Sequence, residues 1–154
     1  MKTLYHSPLG TLVLLSDDEA LLGMAFAKTQ ETVTDEDGFV FAETRRWLNI
    51  YFSGKNPDFM PPLKPQGTPF QQMVWRKLLS IPYGKTTTYG DIAQRVGCRS
   101  AQAIGQAVHN NPIAIIIPCH RVVGSNGLLT GYAYGLSIKR KLLELEGCDL
   151  QTFD

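Results

Sequence analysis

Little in this chain would staple or anchor it. Of its 154 residues three are cysteine, Cys98, Cys119 and Cys148, and three are histidine, His6, His109 and His120. So few cysteines, so far apart, supply neither an even disulfide framework nor a metal-ligand spacing. No apolar stretch approaches the roughly 20 residues that a bilayer requires. The N-terminus lacks a basic segment followed by an apolar stretch and a small-residue cleavage site. These absences set the expectation of a cytoplasmic protein with one or two small domains and no membrane association.

Net charge is nearly lacking too, at +1, but its distribution is uneven. Met1–Gly67 carries six Lys/Arg against nine Asp/Glu, or −3, whereas Thr68–Asp154 carries nine against five, or +4. The second half is therefore the better partner for a polyanion, although the field is modest and such splits also arise as ordinary surface variation.

What is present divides at a proline-rich connector. Leu4–His6, Thr11–Leu15 and Leu21–Phe26 read as short strands separated by the turns Ser7-Pro8-Leu9-Gly10 and Ser16-Asp17-Asp18-Glu19, which makes an antiparallel meander. The polar, acidic stretch 29–38 reads as a solvated loop. Phe39–Phe52 has helical periodicity, with Phe41, Trp47, Leu48 and Tyr51 sharing a face. Five prolines between Pro57 and Pro69 then predict an extended, semi-rigid linker.

The boundary falls at 67/68, giving domains 1–67 and 68–154. Thr68 is placed as a helix N-cap, with Pro69 at the first helical position and Gln71 completing a capping box. Tyr89–Val96 and Ala101–His109 read as two helices joined by Gly97-Cys98-Arg99-Ser100, with Ser100 capping the second. Ala101, Ala103, Gly105 and Ala107 make that second helix small along its length. A helix-turn-helix and mere close helix packing both want small residues. Ile138–Leu145 reads as an amphipathic helix, with Leu142, Leu143 and Leu145 facing inward. Glu146 follows it, at the end where helices disfavour acids.

The chemistry gathers at Pro118-Cys119-His120-Arg121-Val122. The apolar run Ile113–Ile117, rich in β-branched residues and bounded by prolines, is expected to be a buried strand that ends at Pro118. It would deliver a cysteine and a histidine to the rim of the core. A thiol becomes a good nucleophile once an imidazole takes its proton and a carboxylate orients the imidazole. Free cysteine is also among the most buried residue types and commonly only fills space. Neighbours on a strand point to opposite faces, so a turn directly after Pro118 is needed for the pair to cooperate.

Pro118–Val122, Gly131-Tyr132, Leu142–Gly147, Phe70–Trp75, Ile81–Gly84, Tyr89–Ala93 and Asn110-Asn111-Pro112 together resemble the O6-alkylguanine-DNA alkyltransferase family. The likeness is dense from about residue 68 to 147 and thinner before it, where Ser7-Pro8-Leu9-Gly10 fits the family's opening. It implies an α/β, ribonuclease-H-like N-terminal domain and a mainly α C-terminal domain carrying a helix-turn-helix. It implies direct, single-use transfer of an alkyl group, mainly methyl, from O6 of guanine, or O4 of thymine, in double-stranded DNA to Cys119.

Catalytic roles then fall to Cys119, His120, Glu146, Asn111 and Tyr89. His120 would take the thiol proton through a bridging water, Glu146 would orient His120, Asn111 would brace the turn, and Tyr89 would donate to the purine. The carbonyls of Cys119 and Val122, the Tyr132 ring, the Ala133 N–H and Tyr134 would bind the flipped base. DNA contacts are assigned to Gln102, Ala101, Gly90, Ser125, Arg121 and Lys139, through the minor groove. No cofactor is required. Some members carry zinc in the N-terminal part, but without a cysteine before Cys98 none is expected here. A monomer, with cooperative assembly on DNA as an option, is the expected state.

Two positions depart from the family pattern. Gln102 stands where an arginine usually enters the base stack, which predicts weaker DNA binding or a different plug. Tyr134 stands where many members have a small residue, which predicts a narrow pocket. The rival readings are a cysteine hydrolase using Cys119, His120 and Glu146, a lesion sensor that accepts no alkyl group, and a transcription regulator. The sensors lack the cysteine that this chain has, and no effector domain accompanies the two-helix unit.

Overall fold

The computed structural model describes residues 1–33 and 38–148, so the predicted loop over 29–38 lies partly outside the described residues. Contacts divide the chain into two compact units: Met1–Gln66 with Pro112–Ala114, and Gly67–Asn111 with the chain from Ile115 onward.

In the first unit β1 (Lys2–Ser7), β2 (Gly10–Ser16) and β3 (Leu21–Phe26) form the predicted antiparallel meander, in the order β1-β2-β3. The first turn closes by its own chemistry, since Ser7 Oγ donates to the Gly10 carbonyl at 2.6 Å and accepts the Leu9 N–H at 3.1 Å. Asp17 closes the second by accepting the N–H groups of Glu19 and Ala20. Helix α1 spans Phe39–Phe52. It buries Val40, Phe41, Thr44, Trp47, Leu48 and Tyr51, one face at helical spacing, and packs on all three strands. Part of the proline-rich connector extends β3's free edge, because Leu21 N–H donates to Pro62 and Lys64 N–H donates to Leu21.

The expected strand over residues 113–117 does not form. Only Ile113 bridges, to Met24, and the chain then turns, with Ile115 at φ 72. All five residues are buried. The run's apolar, β-branched character encodes burial, which an extended and a wound backbone satisfy equally. Positive φ in a β-branched residue is a true outlier, held here by a position that is 0% exposed.

In the second unit α2 (Pro69–Leu79) starts on the predicted reciprocal capping box between Thr68 and Gln71. A two-residue strand, β4 (Thr87–Thr88), pairs in parallel with β5 (Val122–Val123). Helix α3 (Tyr89–Val96) is capped by Thr88 and ends on Gly97 in the left-handed conformation, φ 70. Helix α4 (Ala101–His109) is capped by Ser100, whose Oγ accepts the Ala103 N–H at 3.1 Å. Trp75 of α2 donates its indole N–H to the Ala107 carbonyl at 2.9 Å. Helix α5 (Leu136–Leu145) begins two residues before the predicted start.

Candidate active site

The site is built on a turn. Cys119–Arg121 winds into a single 3-10 turn, closed by Arg121 N–H donating to the Pro118 carbonyl at 3.0 Å. Winding here removes the strand-like alternation that would have sent Cys119 and His120 to opposite faces. Both are buried, at 7% and 0% exposure.

Glu146, the C-cap residue of α5, lies across from this turn, buried at 6% exposure. Its Oε2 accepts from His120 Nε2 at 2.7 Å and from Arg121 Nη2 at 3.2 Å, and its Oε1 accepts from Arg121 Nε at 2.8 Å and from the Gly84 N–H at 3.1 Å. Burial by itself would raise this carboxyl, but hydrogen bonds from His120 and Arg121 and the Arg121 charge outweigh it and hold the pKa at about 2. Burial is likewise the largest influence on His120 and lowers its pKa, so the ring rests neutral. A neutral ring that donates Nε2–H to a carboxylate keeps its lone pair on Nδ1. That Nδ1 is buried and has no hydrogen-bond partner among the described residues.

Cys119 is pushed up by burial, against opposing effects from the Asn111 side chain and the Lys139 ammonium. The nucleophile therefore rests as a thiol and needs its proton removed. Asn111 also donates from Nδ2 to the Ile117 carbonyl at 2.7 Å, bracing the chain just before the Pro-Cys step. Tyr89 is raised by burial, keeps its phenol proton at neutral pH, and lies near the Thr130 carbonyl at 3.5 Å.

A narrow pocket adjoins the thiol. Cys119, Asn111, His109, Tyr132, Ala133 and Tyr134 line most of it. Tyr132 and Tyr134 meet edge to face, centroids 5.5 Å apart. The cavity has room for one water at most. Gly131 is packed against His109: a Cβ there would come within 2.8 Å of the imidazole, and its φ of +50 already disfavours a side chain. His109 carried no prediction from the sequence; only the packing of α4's last turn against the Gly131 loop brings it to the pocket.

Of the residues assigned to DNA, Gly90, Ala101, Gln102 and Ser125 are exposed. Arg121 and Lys139 are corrections. Arg121 is 8% exposed, its guanidinium committed to Glu146 and to the Ile81 carbonyl at 2.8 Å. Lys139 is 0% exposed, and its Nζ donates to the carbonyls of Val122, Thr130 and Gly131. Neither can present a cation to a phosphate.

Residues 1–65 match the model of the ribonuclease-like domain of 6-O-methylguanine DNA methyltransferase, and residues 69–148 match that of its DNA binding domain. The methylated-DNA--protein-cysteine methyltransferase of Methanosarcina acetivorans is 47% identical, covering 94% of this chain and 96% of its own. That of Mycobacterium tuberculosis strain H37Rv is 43% identical, covering 96% and 95%. The crystal structure of the O6-methylguanine methyltransferase of M. tuberculosis superposes with a TM-score of 0.84 at 42% identity, covering 99% of this chain and 98% of that one. An M. tuberculosis OGT structure in complex with DNA gives 0.83 at 43% identity, covering 93% and 90%. With both halves matched and the ordered turn at Cys119 set against Glu146, the chain belongs to the 6-O-methylguanine DNA methyltransferase family.

Proposed function

We propose that this protein repairs DNA by moving the methyl group of O6-methylguanine onto its own Cys119, once per molecule. One observation carries the chemical reading: a buried thiol beside a neutral histidine whose far nitrogen is bound to an ionised carboxylate. As Cys119 Sγ attacks the methyl carbon, its proton passes through a bridging water to His120 Nδ1, and Glu146 stabilises the imidazolium so formed. The S–C bond forms as the C–O6 bond breaks, and the electron pair leaves on the purine. Tyr89 donates to the ring and neutralises that charge. The product is a thioether with no hydrolysis route, so no cofactor is consumed and no turnover follows. A hydrolase using the same three residues would return a free cysteine.

The base reaches Cys119 only out of the duplex, at a cost of a few kcal/mol. In this reading α3 and α4 act as a helix-turn-helix against the minor groove, whose narrow width, about 6 Å, favours small residues. Support comes from Gly90 and Gly105: a Cβ at Gly105 would meet nothing within 4 Å, and one at Gly90 only Thr88 Oγ1 at 3.9 Å. Internal packing therefore does not account for their size. Gln102, exposed on the first turn of α4, fills the extruded base's place without charge. The protein acts as a monomer in the cytoplasm, with the carbonyls of Cys119 and Val122 and the Ala133 N–H reading the base. Tyr132 and Tyr134 confine the pocket to small adducts.

Intact mass after incubation with duplex DNA containing O6-methylguanine tests both claims. One added methyl group on the peptide holding Cys119 is expected, and none for Cys119→Ser. An O6-benzylguanine duplex should label the protein far more slowly. A protein of unchanged mass would end the transfer reading, and equal rates for the two adducts would end the pocket reading.

A further inference from the structure

Lys139 is an uncommon object: a lysine at 0% exposure whose ammonium no carboxylate neutralises among the described residues. A buried charge without a counter-charge is costly and is seldom kept for stability alone. Its three bonds all go to backbone carbonyls, Val122 at 2.6 Å, Thr130 at 2.7 Å and Gly131 at 3.1 Å.

Each of those carbonyls belongs to a working part of the site. Val122 directly follows the Cys119–Arg121 turn. Thr130 is the residue whose carbonyl lies nearest the Tyr89 hydroxyl, at 3.5 Å. Gly131 opens the pocket-lining segment that continues through Tyr134. One cation thus ties together the nucleophile's turn, the leaving-group donor and the pocket wall. The titratable groups that bear on it are Cys119, His120 and, through Thr130, Tyr89. Of these only the Cys119 thiolate is an anion that would favour the charged lysine.

We propose that Lys139 is a positioning residue for methyl transfer, which fixes the three carbonyls and supplies the countercharge for the Cys119 thiolate as it forms. This rests on Cys119 being the alkyl acceptor. The lysine touches neither substrate nor leaving group, and its ammonium gives up no proton in the step. Burial lowers Lys139 to about 8, and Cys119 acts in the opposite direction, as such a pairing requires.

The test separates field from scaffold. Cys119 is alkylated with iodoacetamide, without DNA, across a pH series, and the labelled peptide is quantified for wild type, Lys139→Met and Lys139→Arg. In Lys139→Met the profile should move about one pH unit upward, a roughly tenfold slower reaction at neutral pH. Lys139→Arg, which keeps the charge, should stay near wild type. A Lys139→Met profile superimposed on wild type overturns the proposal.

If Lys139→Met does not fold, the Lys139 ammonium is titrated by nitrogen-15 NMR in wild type and Cys119→Ser. Its midpoint should fall when the thiol is gone, and an unchanged midpoint overturns the proposal. The outcomes are distinct from a failure of the repair reading: wild type that gains methyl from DNA beside an unmoved Lys139→Met profile sinks this inference alone. Wild type that gains none sinks the repair reading, whatever the profile does.

Discussion

At the scale of single residues, Glu146 is the most constrained group in the site, with four donors converging on two oxygens. Its folded pKa of about 2 against an ordinary 4.5 makes it a stability group as well as the partner of His120. A carboxyl depressed on folding contributes fully above its unfolded pKa and loses that contribution as pH falls through the folded one. The window here runs from about 4.5 down to about 2, and the shift corresponds to a maximum on the order of 3 kcal/mol. Urea unfolding of wild type and Glu146→Gln across that window should show their stability difference shrinking as acid is added. A difference independent of pH would mean that folding does not depress the Glu146 carboxyl. Arg121 shares this account: its correction from DNA contact to ion-pair partner explains why Pro-Cys-His is followed by a buried cation.

At the scale of elements, legibility tracked local signals. The capping box at Thr68 and Gln71, the Ser100 cap and the turn at Gly97–Ser100 were readable because the partners lie within three or four residues. Helix α1 was readable from one apolar face. Ile113–Ile117 was misread because the conformation of a fully buried run is decided by distant contacts, such as the Met24 bridge, that leave no periodic trace. Glu146 was legible as an acid at the wrong end of a helix. Lys139 was not, since a lysine's burial cannot be seen in its neighbours.

The small residues of α4 were ambiguous in sequence, and the structure separates them. Ala107 is buried beneath Trp75, whose indole binds its carbonyl, whereas Gly105 faces open space. Gly105→Ala should therefore stabilise the helix by up to about 1 kcal/mol and yet weaken DNA binding in a fluorescence anisotropy titration. Gln102→Arg should tighten binding in the same assay. If Gly105→Ala leaves DNA affinity intact, α4 does not meet the backbone there.

At the scale of the whole molecule, charge decides how DNA is held. The acidic first 67 residues, at −3, are a poor partner for phosphates, and the basic remainder carries nine Lys/Arg. Two of those nine, Arg121 and Lys139, are spent inside the protein, and Arg95 is paired with Asp91 at 2.8 Å. What remains for phosphates is a short set, among which Arg99 is exposed in the turn between α3 and α4. Each phosphate neutralised contributes about −0.9 to the slope of log affinity against log salt. Six of the nine are left, so the slope should be no steeper than about −5 by the same rule. Arg99→Ala should then flatten it by about one contact and weaken binding to all sequences alike. Methyl transfer at saturating DNA should be unchanged, because Arg99 is remote in sequence and role from the Cys119 turn. A slope as steep in Arg99→Ala as in wild type would move the DNA path away from the α3–α4 turn, and with it the reading of these two helices as the groove-binding element.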